Sequence, residues 1–155
     1  MKGYTMPVVM IEGQHRNKIK VEMYIDRLIR ELKLNRLSSK VIFINFVTRL
    51  DNEAQGLCYG YNNPDSVDLQ IARTSDGQKI DFNEMMRTIA HEMVHAKQWF
   101  RGELGSTGKG QWLWKGRNAG GWKYENQPWE KEAYRLEQML YEKCWLDQND
   151  LKELK

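Results

Sequence analysis

Cysteine, proline and histidine are all scarce in this chain of 155 residues, with two, three and three of each. Two cysteines, Cys58 and Cys144, make no disulfide framework, so the fold must rest on its core, and both are read as reduced thiols. No apolar run has the roughly 18 residues that cross a membrane, and no signal-type segment is present, so a cytoplasmic protein without membrane contact is expected. Strong charge of one sign is also missing. Lys plus Arg number 24 against 21 Asp plus Glu, and the net +3 does not by itself call for a polyanionic partner. The 41% hydrophobic and 29% charged residues exclude disordered and collagen-like classes. Domains run to roughly 100–200 residues, so residues 1–155 are taken as one domain, long enough to bury a core. What is abundant is tryptophan: of six, all but Trp145 fall between Trp99 and Trp129.

Apolar spacing divides the chain into elements. Residues 6–11 are short, apolar and β-branched and read as a first strand. Over 17–34, Val21, Tyr24, Ile25, Leu28 and Leu32 recur three and four apart, the period of one apolar helix face. Residues 41–47 are an unbroken apolar run, expected to be a strand buried on both faces. Residues 56–61 and 67–73 read as two more strands, joined by a turn at Asn62-Asn63-Pro64-Asp65. In the second, Val67, Leu69 and Ile71 alternate with Asp68 and Gln70, leaving one face wet. Asp81 is expected to cap a helix, with Glu84 three residues on, that runs to Arg101 and stops at Gly102. Its core face is Met86, Ile89, Met93, Ala96 and Phe100. Seven of the twelve glycines fall within 102–121, so no regular element is expected there, and 102–127 reads as a glycine-rich loop. Pro128 starts a last helix with Ala133, Leu136, Leu140 and Cys144 inward. This order is that of an α+β fold, a small mixed sheet packed on a central helix with an N-terminal and a C-terminal helix beside it.

The central helix carries His91-Glu92-Met93-Val94-His95, the pattern H-E-x-x-H. Residues four apart share a helix face, so both imidazoles can reach one ion. Zinc suits imidazole, binding it at about 2.0–2.1 Å. Glu92 lies about 100° around the helix from His91, close enough to serve as base toward water on the ion, whose pKa zinc lowers to roughly 7. Two of the three histidines fall in these five residues, on a segment read as helical for separate reasons. Zinc is therefore the expected cofactor, and Glu92 the expected general base and acid.

A catalytic zinc takes a third protein ligand and keeps a fourth position open. His15 lies far upstream, and Gln98 and Arg101 stand where the metzincin motif has Gly and His, which excludes that class. Carboxylates of the last helix remain, Glu130 and Glu132. Glu130-Lys131-Glu132-Ala133 following the H-E-x-x-H helix resembles the gluzincin peptidases, whose third ligand is the Glu of E-x-x-A or E-x-x-x-D on the following helix. The resemblance implies a zincin-like fold with His91, His95 and Glu130 as ligands and Glu132 in reserve. Tyr134 stands where many relatives carry the Asp that orients a histidine. Residues 89–99 are similar to SprT-like metallopeptidases, which have H-E-M-x-H-A and then an aromatic residue; those commonly supply a third histidine, and none follows His95 here. The segment from Pro128 to Ala133 is similar to small phage and bacterial metallopeptidase-like proteins. That likeness implies a polypeptide substrate and the cytoplasm of a bacterium or a phage-infected host cell.

Three further features bear on function. In zincins an edge strand beside the active helix pairs with extended substrate, and the half-wet strand 67–73 is the candidate. Tyr124, Tyr134 and His15 are candidate donors to the oxyanion. Residues 97–123 hold Lys97, Arg101, Lys109, Lys115, Arg117 and Lys123 against Glu103 alone, so this stretch carries +5 and the rest of the chain −2. Trp112, Trp114 and Trp122 are interleaved with these cations. Basic groups track phosphates and indoles stack on bases. Lys109, Trp112, Trp114, Lys115, Arg117, Trp122 and Lys123 are thus candidate contacts to DNA or a DNA-bound protein. The plainer reading is a loop folded over the site with its lysines in water. The expected activity is zinc-dependent peptide hydrolysis, SprT-like action on DNA-associated proteins included. The alternative is a nucleic-acid- or protein-binding module with a structural or degenerate zinc site.

Overall fold

A computed structural model describes residues 6–60, 62, 64–107 and 109–149. Four strands form the main sheet: β1 (Val8–Glu12), β2 (Val41–Val47), β3 (Gly56–Tyr59) and β4 (Ser66–Ala72), in the order β1-β2-β4-β3. The first three in that order run parallel, and β3 pairs antiparallel with β4. Tyr61, expected to end the third strand, and Asn63 of the expected turn lie outside the described residues. The fold is α+β. A short hairpin, β5 (Thr74–Ser75) and β6 (Gln78–Lys79), leads from the sheet into the central helix.

One sheet face makes the core. Ile42, Ile44 and Phe46 of β2 pair across the register with Val67, Leu69 and Ile71 of β4, and all six are buried. They join the apolar faces of α1 (Lys18–Glu31) and α2 (Phe82–Phe100) in one cluster. Tyr24 Oη donates to Met86 O at 2.6 Å and ties the two helices together. Burial of β2 on both faces does not hold: Phe43 is 37% exposed and Val8 and Met10 beside it are also exposed. Both helices lie on the one face, so an unbroken apolar run ends with a single buried side. Nor is strand 67–73 at the edge. β4 sits between β2 and β3, and its wet residues mark the uncovered face of the sheet.

α2 begins where expected. Asp81 Oδ2 accepts from the backbone N–H of Asn83 (3.0 Å) and Glu84 (3.2 Å), a cap worth about 1 kcal/mol. Glu84 does not reach back to complete the box but pairs with Arg87. Met86, Ile89, Met93 and Ala96 are fully buried, and Phe100 half-buried. The helix stops at Gly102, whose φ of +70° continues no helix of L-residues. α3 (Pro128–Tyr141) packs on α2 through Ala133 and Leu140 and runs into a π-turn, Glu142–Leu146, that buries Cys144. No helix among the described residues is long and apolar enough to cross a membrane.

The glycine-rich stretch is not irregular throughout. It forms an antiparallel ribbon of β7 (Leu104–Ser106), β8 (Trp112–Trp114) and β9 (Arg117–Asn118). Lys115 and Gly116, with φ of 51° and 82°, make the two-residue turn between β8 and β9. Two residues at positive φ match the right-handed twist of a hairpin, so here glycine permits strand pairing instead of preventing it. Asn62 clamps the ribbon to the end of β3, donating to Ser106 O at 2.6 Å and accepting from Ser106 N at 2.9 Å.

Candidate metal centre

His91 and His95 project from one face of α2 and Glu130 from the first turn of α3 toward them. Their ligand atoms all lie within 4.8 Å of one another. Glu130 Oε1 is 2.9 Å from His91 Nε2 and 3.3 Å from His95 Nε2. Both imidazoles are buried, at 8% and 6% exposure, so their polar atoms need partners.

The outer ring nitrogens fix what the inner ones present. Gln98, wholly buried, donates from Nε2 to Trp129 O (2.9 Å) and Glu132 Oε1 (3.0 Å). Both are acceptors, so the amide is held with Oε1 on His95 Nδ1 at 2.8 Å, and that nitrogen carries the hydrogen. Glu137 Oε1 likewise accepts from His91 Nδ1 at 2.7 Å. Each Nε2 therefore faces the Glu130 carboxylate with either a second proton or a lone pair, and two lone pairs beside a carboxylate require a shared cation. Without a metal that cation is the proton. Burial lowers the His91 pKa, but hydrogen bonds to Glu130 and Glu137 outweigh it and raise it from 6.5 to about 10. His95 is raised for the same kind of reason, against burial, by Glu130. Burial pushes Glu130 up, but the two histidines prevail and bring it to about 2. Two imidazole nitrogens and one carboxylate, each imidazole oriented by an acceptor behind it, could hold a metal ion, and catalytic zinc sites use such a donor set.

Glu92 stands beside this group, 6% exposed. Burial raises its carboxyl, His95 and His91 pull it back, and the result is about 7. The strand nearest Glu92 is β3. A Cβ on Gly56 would lie 2.6 Å from Thr88 Cγ2 and 3.1 Å from Glu92 Cγ, so only glycine lets the strand lie this close to the helix. A cleft of about 360 Å³ holds His91, Glu92, His95 and Glu130 between β3, the ribbon and α3.

Two of the three oxyanion candidates are here. Tyr124 Oη donates to Glu130 Oε1 at 3.1 Å and lies 3.2 Å from Tyr134 Oη; its pKa is raised, first by burial and then by Tyr134. Tyr134 stands edge-on to His91 at 4.7 Å. His15 is elsewhere, stacked on Phe46 at 4.4 Å and lining a separate cavity between β1 and α1. Glu132, the reserve ligand, turns to Lys97 and Gln98, both at 3.0 Å. Burial opposes its ionisation, and these two donors lower its pKa in spite of that.

The cations of 97–123 divide. Lys97 is held between Glu103 and Glu132, each at 3.0 Å. Arg101 donates to Leu32 O and Lys33 O at the C-terminal end of α1. Lys115 lies over the Trp114 ring at 5.4 Å. Lys109, Arg117 and Lys123 are exposed, without an ion pair among the described residues. Trp122 is exposed, whereas Trp112 and Trp114 pack on Trp129.

Sequence reasoning missed Gln98 and Glu137 as orienting groups. Their signal is spacing: Gln98 is three residues past His95, and Glu137 seven past Glu130, two turns along the same face of α3. Position 134 is Tyr, and the carboxylate on His91 Nδ1 comes from Glu137, one turn later. Comparisons with protein-family models, with curated proteins and with solved structures found no match.

Proposed function

We propose that this protein is a zinc-dependent metallopeptidase of zincin type. The observation that carries the proposal is the convergence of two oriented imidazoles and the Glu130 carboxylate beside a buried carboxyl poised near neutrality. His91, His95 and Glu130 would hold the ion, with Glu137 and Gln98 keeping each Nε2 turned inward. Zinc, when bound, supplies a Lewis acid for the scissile carbonyl and lowers the pKa of water to roughly 7. Glu92, beside the ligand group, takes a proton from the attacking water and returns it to the leaving amine. Tyr124, turned from Glu130 toward the substrate, donates to the oxyanion.

The substrate is a polypeptide in extended form. Among the described residues β3 ends the sheet with no strand on its outer edge, so that edge can pair with another strand, and Gly56 brings it over Glu92. The site of action is the cytoplasm, in keeping with Cys58 and Cys144 as free thiols. Glu92→Gln tests the proposal: zinc content unchanged and peptide hydrolysis lowered at least about 100-fold. A wild-type protein that holds zinc and cuts no polypeptide would favour the binding-module alternative.

One observation favours a second role for the ribbon, contact with DNA or a DNA-bound substrate. Lys109, Arg117 and Lys123 are exposed with no ion pair among the described residues, and Trp122, next to Lys123 in the chain, is exposed as well. Three such contacts would give single-stranded DNA binding a log–log salt slope of about −2.

A further inference from the structure

We propose that the cleft selects a bulky apolar side chain, best an aromatic one, on the side of the scissile peptide toward the C-terminal end of α2. This rests on the peptidase reading and adds the class of residue that its substrate carries. Three elements build the recess. Trp99 comes from α2, Trp112 and Leu104 from the ribbon, and Trp129 from α3, and all line the cleft that contains His91, Glu92, His95 and Glu130. Trp112 lies 6.0 Å from Trp99 and 5.9 Å from Trp129 between ring centroids, the range of tilted aromatic pairs. Trp99 and Trp129 are buried, at 3% and 5% exposure, but Trp112 is 41% exposed. It is the exposed member of this group and lines the cleft.

The recess has a fixed place relative to the chemistry. Trp99 is seven residues past Glu92, about 10 Å along the helix. β3 follows the same direction: a Cβ on Gly56 would strike Thr88, and one on Gly60 would lie 2.5 Å from the Trp99 ring. A substrate strand on the edge of β3 advances about 3.3 Å per residue, so a side chain two or three residues from the peptide bond at Glu92 meets the tryptophans. The other side differs. There the cleft wall carries Glu84, Arg87, Thr88 and Glu137.

An apolar occupant fits better than a cation. The acids near Trp99, Glu103 and Glu132, are both taken by Lys97. Trp99 Nε1 is itself buried with no acceptor among the described residues. Indole faces do attract cations, and the experiment must separate that outcome.

The first arm needs no turnover. Zinc-loaded Glu92→Gln protein is titrated with octapeptides that differ at one position, Phe, Leu, Ala, Lys or Asp, and binding is read from tryptophan fluorescence. The Phe peptide should bind about tenfold more tightly than the Ala peptide. Adding Trp112→Ala should bring that ratio close to one, and Trp112→Phe should restore much of it. In the second arm, wild-type protein cuts a mixed peptide library and the sites are mapped by mass spectrometry. Aromatic and large aliphatic residues should be enriched at one position, on one side of the cut. Equal binding of the Phe and Ala peptides, or tightest binding of Lys, overturns the recess. Cleavage without apolar enrichment overturns it too and leaves the peptidase reading standing. A Phe preference in binding, with no cleavage by wild type, overturns that reading and leaves the recess standing.

Discussion

On α2 and α3 the side chains around the candidate centre bond to one another: Glu137 to His91, Gln98 to His95, Glu132 to Gln98 and Lys97. On the ribbon and the segment that follows it, between the two helices, Lys109, Arg117 and Lys123 stand in solvent with no ion pair among the described residues. The two regions touch, through Trp112 and Trp129 and through Lys97 and Glu103, yet they follow different rules. Buried polar groups are costly unless each is satisfied, so in the helix pair the loss of one partner strands the next. Exposed cations have water as an alternative and can be exchanged freely.

The contrast breaks most sharply at Glu130. Its replacement by Ala removes the proposed third ligand and leaves both Nε2 atoms without their shared acceptor. Zinc affinity should fall by more than about 100-fold, beyond what loss of an orienting group causes, and peptide hydrolysis should fall with it; competition with a chromophoric chelator measures the first. One step smaller, Glu137→Gln and Gln98→Ala should each weaken zinc by roughly 10–100-fold.

pH separates the metal-free from the zinc-loaded protein. The folded pKa of His91 is raised from 6.5 to about 10, so its stabilising contribution is complete below pH 6.5 and is lost as pH rises toward 10. Glu130, lowered from 4.5 to about 2, stabilises above pH 4.5 and loses that contribution as pH falls toward 2. Thermal melts of metal-free protein should therefore show these groups contributing most between about pH 4.5 and 6.5, with a decline on the alkaline side. Zinc, displacing the imidazole protons, should remove that alkaline decline. The smallest effect belongs to the ribbon. Lys109→Ser, Arg117→Ser and Lys123→Ser together should shift stability by no more than about 0.5 kcal/mol per site and leave zinc affinity unchanged. A loss of single-stranded DNA binding in the same variant would sharpen the contrast by giving the ribbon its own task.

What the sequence made legible follows the same division. His91, Glu92 and His95 are set by spacing within one helix, and the apolar period of α2 announced that helix independently. Glu130 came from likeness to a family pattern, with Ala133 beside it small enough for α3 to approach. Gln98 and Glu137 were not legible, because their roles depend on how α3 lies across α2. Strand order is equally non-local: β4 looked like an edge from its alternation, but β3 folds back antiparallel and takes the edge. In the ribbon, glycine content suppressed the strand reading, although Lys115-Gly116 is the turn chemistry that a hairpin uses. Four tryptophans spread from Trp99 to Trp129 became one cluster only through that hairpin.

Calorimetric titration of zinc into chelator-stripped protein at pH 7, in two buffers of different ionisation enthalpy, tests the central claim most directly. One zinc should bind per chain with release of imidazole protons, and His91→Ala, His95→Ala and Glu130→Ala should each abolish tight uptake. Failure of the wild type to take up zinc, or uptake unchanged in these three variants, would contradict the account.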